Sequence, residues 1–134
     1  MKQLLVLFLL AGSMLAVAQE KKADEARKID FTQVLVGADS KPLTMGDAAH
    51  PVPVTLREVC VIALNTVVEA DRNENFDTKY QRGKLLFRIQ NTKTLALTND
   101  ELVLLRDRIE KVSAFSPILI YAVAPILDPA KYQR

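Results

Sequence analysis

Tryptophan is missing from this chain of 134 residues, and cysteine and histidine occur once each, as Cys60 and His50. A lone cysteine cannot close an internal disulfide. One thiol and one imidazole leave a metal site at least two ligands short, to be supplied by scattered carboxylates, so no metal or other cofactor is expected. The four glycines stand isolated at positions 12, 37, 46 and 83, which excludes a phosphate-cradling loop. No Gly-x-Ser-x-Gly nucleophile elbow occurs. An excess of one charge is also lacking: 18 basic residues face 16 acidic ones, a formal +2. A chain so near neutrality has no global electrostatic reason to bind nucleic acid or anionic membranes.

What is present begins with an apolar N-terminus. Lys2 precedes the block Leu4-Leu-Val-Leu-Phe-Leu-Leu-Ala11, Gly12 and Ser13 loosen it, and Ala16-Val17-Ala18 has the small-x-small form of a cleavage site. Residues 1–18 therefore read as an export signal, and cleavage after Ala18 would make the protein periplasmic or secreted. Retention would leave it cytoplasmic. The block is too short to span about 30 Å of hydrocarbon as a stable membrane anchor. Removing it takes Lys2 away, so the 18 basic residues become 17 against the same 16 acidic ones. Residues 19–28 are a charged linker. A single globular domain follows over residues 29–129, with a tail at 130–134.

The domain centres on residues 55–70. Thr55 and Glu58 have capping-box spacing, and Leu56, Val59, Cys60, Ala63, Leu64 and Val67 form one apolar stripe. Val61, Ile62 and Val68 extend apolarity around the rest of the circumference, so this helix needs covering elements. The helices expected at 102–112 and 117–127 are its natural cover. Before it, alternation over residues 29–36 predicts a strand, followed by an irregular stretch rich in Gly46, Pro51 and Pro53. After it, Asp77 is placed to cap a second helix reaching about Gln90, with Tyr80, Gly83, Leu86, Phe87 and Ile89 for packing. Gly83 there suggests close approach of another backbone. Leu95 and Leu97 suggest a short strand pairing with residues 31–36. Thr98 and Glu101 repeat the capping box, and Leu102, Leu105, Ile109 and Val112 give the core stripe. Arg106, Asp107, Arg108, Glu110 and Lys111 supply that helix's solvated side, with 106/110 and 107/111 at ion-pair spacing. Ser116-Pro117 starts a last, uncharged helix, which Pro125 should bend or end. The fold class is α+β: a small antiparallel two-stranded sheet packed against about four helices.

Four features invite a functional reading. Asp71, Asn73, Asn75 and Asp77 place oxygens at alternate positions, like the first half of a calcium loop. Phe76 stands where that loop needs Gly and Arg82 where it needs a bidentate Glu, so the stretch reads as a solvated connector. Cys60 with His50 is the one catalytic pair available, and the place of Cys60 on the apolar stripe argues for an inert core thiol. Lys79, Arg82, Lys84 and Arg88, with Tyr80 and Phe87 among them, form a possible nucleic-acid face. The uncharged last helix offers Ile118, Tyr121, Val123 and Ile126 as a surface for a protein partner, a second copy of the chain included.

From Asp30 to Asp128 the order of features resembles a group of small phage- and prophage-encoded proteins of unestablished function. The matching pieces are Ser40-Lys-Pro-Leu43, Thr55-Leu56 with its helix, the stretch 79–89, Leu95-Ala-Leu-Thr98 with Asp100-Glu101, and Ser116-Pro117. The resemblance implies a small accessory protein and carries no catalytic residues. The export-like segment departs from that pattern. Two function classes follow from the sequence: a non-enzymatic protein–protein binding module acting through the last helix, and an intracellular accessory protein contacting nucleic acid through Lys79–Arg88.

Overall fold

Backbone donors at the start of the central helix find their acceptors in a loop some twenty residues upstream, and this sets the architecture. The computed structural model describes residues 26–133. The expected export segment and most of the linker lie outside the described residues. Helix α1 covers Leu56–Asn65. Its first turn has orphan N–H groups, as every helix does. Leu56 N–H donates to Gln33 O at 3.0 Å and Arg57 N–H to Phe31 O at 2.9 Å. Glu58 N–H donates to Thr55 Oγ1, and the Glu58 carboxylate accepts from Thr55 N–H at 2.7 Å, completing the capping box.

Strand β1 is Arg27–Asp30 and pairs antiparallel with β4, Thr94–Leu97. The register sets Ile29 opposite Leu95 and Asp30 opposite Thr94. The first strand therefore begins two residues before Ile29, and the pairing involves 27–30 rather than 31–36. Asp30 is the cause. Its carboxylate accepts from Thr32 N–H at 2.8 Å and Thr32 Oγ1 at 2.6 Å, which turns the chain before it can extend as a strand. Between the two strands lie a two-residue hairpin, β2 (Thr44–Met45) with β3 (Val52–Pro53), where an irregular stretch was expected. Gly46 at its turn has φ +95° and would place a Cβ 2.9 Å from His50 O, so only glycine fits.

Helix α1 ends at Asn65, five residues before the periodicity suggested, and the chain continues into a 3₁₀ turn at Glu69–Asn73. Helix α2, Phe76–Asn91, is capped by Asn75 rather than Asp77, with Asn75 Oδ1 accepting from Thr78 N–H at 2.8 Å. Helix α3 is Asn99–Lys111 behind the Thr98–Glu101 capping box, and α4 is Pro117–Leu127. Pro125 neither ends nor stops α4, which runs two residues further.

The core gathers Ile29, Phe31, Leu35, Leu56, Val59, Cys60, Leu85, Ile89, Leu97 and Leu105 under the sheet. The cover of α1 is α2 and α3, while α4 packs on α3. On α2 the buried residues are Leu85 and Ile89, whereas Tyr80 and Phe87 face outward. Nothing lies within 4 Å of a Cβ added at Gly83, so no backbone approaches there. The two ends of the domain are tied together: Arg27 donates from Nη1 to Leu127 O at 2.9 Å and from Nη2 to Ile126 O at 2.6 Å. Guanidinium donors there satisfy the orphan carbonyls of the last helix.

Candidate interaction surface

The connector is solvated at Asn73, Asn75 and Asp77, but its first residue, Asp71, turns into the interior. Asp71 is 7 % exposed and Arg108 2 %. Arg108 donates to the Asp71 carboxylate from Nη1 at 2.5 Å and Nη2 at 3.1 Å. Its Nε reaches Ala63 O at 3.3 Å and Nη2 reaches Thr66 O at 2.5 Å, so one guanidinium also closes the C-terminal end of α1. Arg82 adds a second cation, with Nη1 3.0 Å from Asp71 Oδ1 and 3.1 Å from Glu74 Oε2. The Arg108 guanidinium, with smaller help from Val68 N–H and Arg82, holds the Asp71 carboxyl well below the usual carboxylate range despite its burial. This arrangement binds the structure together. Among the described residues no group of three or more His, Cys, Asp or Glu is placed to hold a metal ion.

Arg108 was assigned by its charge to the solvated side of α3, and the structure corrects that. The spacing held a signal: Arg108 lies three residues after Leu105 and four before Val112, on the buried side. Arg106 pairs with Asp128 instead of Glu110, and Lys111 pairs with Asp107 at 2.8 Å.

The basic face on α2 is likewise rearranged. Arg82 is turned inward onto Asp71 and Glu74. Arg88 pairs with Glu101 and donates from Nη2 to Ala96 O at 3.2 Å. Of the four cations proposed for nucleic acid, Lys79 and Lys84 alone form no ion pair among the described residues. His50 sits exposed in the hairpin turn, its Nδ1 3.3 Å from Asp47 Oδ1, while Cys60 is sealed in the core. The two do not meet. Burial pushes the Cys60 thiol well above its ordinary pKa, so the thiolate is suppressed. Native protein should accordingly resist iodoacetamide and react only on unfolding, as mass spectrometry can show. Cys60→Ala should lower stability by about 1 kcal/mol or somewhat more through lost core contacts.

On α4, Ile118 and Tyr121 are about half exposed and Ile126 is partly buried. Val123 is corrected from surface to core: it is buried against α3. Ile118 leans over the turn that starts at Gly37, with its Cδ1 3.7 Å from an ideal Cβ there. Between α3, α4 and the tail opens a cleft of about 420 Å³. Its floor is Ile109, Val112, Val123 and Leu127, its walls Phe115 and Ile120. Arg106, Glu110, Lys131 and Tyr132 form the rim, with Lys131 Nζ 5.1 Å from the Tyr132 ring centre. An apolar floor with a polar rim is the chemistry of a seat for an apolar side chain or short apolar segment. Comparison with family models, with curated proteins and with solved structures finds no match to this chain.

Proposed function

We propose that this protein is a small non-enzymatic accessory protein, a binding module that seats an apolar segment of another protein between α3 and α4. One observation carries the reading. The last helix has no charged residue, and its burial against α3 is one-sided, which leaves Ile118, Ile120 and Tyr121 exposed beside an open apolar cleft. A fold that spends 11 uncharged residues on a surface helix leaves an apolar edge that another surface can cover.

The test is a photo-crosslinking amino acid at Ile120, with the same group at Val103 of α3 as the reference position. A discrete adduct from Ile120, absent from Val103 and removed by Tyr132→Asp, is the expected result. Both Val103 and Tyr132 are exposed, so the melting temperature should hold within a degree or two. An adduct pattern identical at the two positions would overturn the reading. Sedimentation velocity identifies the self-partner case, because a dimer through this cleft would dissociate in the same variant.

A further inference from the structure

The outward side of α2 carries large aromatic residues in a regular register. Phe76 is 80 % exposed, Tyr80 59 % and Phe87 66 %. With Gly83 and Gln90, they fall at steps of four, three, four and three residues, the a/d spacing of a heptad seam. The seam runs about 21 Å along the helix, directly opposite the core side carrying Leu85 and Ile89. Gly83 leaves open space in its middle, bordered by Tyr80 and Phe87, which is a hole waiting for a knob.

The flanking positions say what kind of helix fits. With Tyr80 at a, Lys79 falls at g and Lys84 at e, while Asp77 holds the earlier e position. Neither lysine is ion-paired among the described residues, although Asp100 and Glu101 lie across a shallow cleft from Lys84. Parallel self-pairing would set Lys79 of one copy against Lys84 of the other, which repels, and antiparallel self-pairing would match only Lys84, setting it near Asp77 while Lys79 faces Leu86 and stays without a carboxylate. A carboxylate at each of those facing positions would attract.

We propose that this face of α2 is one half of a helix–helix interface with a different protein. The other half is an amphipathic helix with a bulky apolar residue for the Gly83 hole and Glu or Asp opposite Lys79 and Lys84. Two uncommitted lysines are too few to hold a nucleic-acid backbone, whose affinity grows with each phosphate neutralised. An anionic lipid surface likewise needs a wider basic face. This second surface is independent of the α3–α4 cleft, so either can fail without the other. Together they make the protein an adaptor between two partners.

The probe is a fluorescent helical peptide with Leu at every a and d position and Glu at every e and g, titrated with the full chain by anisotropy. Its twin carries Lys at e and g. The Glu peptide should bind about tenfold more tightly than its twin. Lys79→Glu with Lys84→Glu should reverse that preference, and Phe87→Ala should weaken both peptides about tenfold. These side chains are exposed, so unchanged thermal melts confirm that the variants are folded. Equal affinity for the two peptides, or binding to neither, would overturn the proposal. So would tighter binding to a thymidine oligonucleotide or to phosphatidylglycerol vesicles than to the Glu peptide.

Discussion

Arg108→Met should lower the free energy of unfolding by about 3–5 kcal/mol, read as a shift of the urea midpoint at constant slope. The substitution keeps much of the aliphatic stem and removes the one guanidinium that serves Asp71, Ala63 O and Thr66 O together. The two carbonyls lose their donor and Asp71 keeps only Val68 N–H and the Arg82 cation, and a buried charge deprived of its main partner is far costlier than a pair of well-packed apolar residues. Arg108→Lys should recover little, because a point ammonium cannot bond both carboxylate oxygens and two carbonyls in fixed geometry. Asp71→Leu combined with Arg108→Met should lose less than the sum of the single variants, which a double-mutant cycle would display. Acid provides a second readout. The folded-state pKa of Asp71 is depressed, chiefly by Arg108, so its contribution is full above the unfolded value near pH ~3.9 and is lost as pH falls from there toward the folded value. Wild-type stability should decline through that window more steeply than that of Asp71→Asn.

Phe31→Ala should cost about 3–5 kcal/mol by the same measurement. The ring is fully buried, and its backbone links two parts of the fold: Phe31 N–H donates to Lys93 O at 2.9 Å and Phe31 O accepts from Arg57 N–H at 2.9 Å. Removing the ring leaves a cavity beneath the point where the β1–β4 sheet meets the first turn of α1. The surrounding backbone is held by these bonds and cannot collapse to fill it, which places the site at the expensive end of large-to-small changes. Phe31→Leu, retaining most of the volume, should lose well under half as much.

Features whose causes are local in sequence were legible there. Both threonine capping boxes and the Ser116-Pro117 helix start depend on residues within one turn, and each stands where the pattern put it. The antiparallel pair on helices was legible as an architecture but its first strand was not: residues 27–30, instead of 31–36, meet 94–97 far along the chain. Features fixed by distant partners were not. Thr66 could have continued α1, yet its carbonyl is taken by Arg108, 42 residues away, and the β-branched run through Val68 favours extension. Charge also misled. Arg82, Arg88 and Arg108 all read as solvated, and each is ion-paired with a carboxylate that helix wheels cannot place. Of the last-helix residues, Val123 belongs to the core because α3 covers that side, whereas Ile118 and Tyr121 are about half exposed. On α2, Tyr80 and Phe87 were counted toward packing, and burial of Leu85 and Ile89 shows that the helix is rotated the other way.

The clasp from Arg27 to the carbonyls of Ile126 and Leu127 brings the beginning and end of the domain within one side chain of each other. Backbone continuity at that point is therefore interchangeable with a short bridge. A circularly permuted chain, joined across this seam by a brief Gly/Ser linker and reopened in the exposed hairpin turn at 47–50, should refold to the same core. Such a permutant would move both chain ends to the hairpin, where fusion partners could be attached.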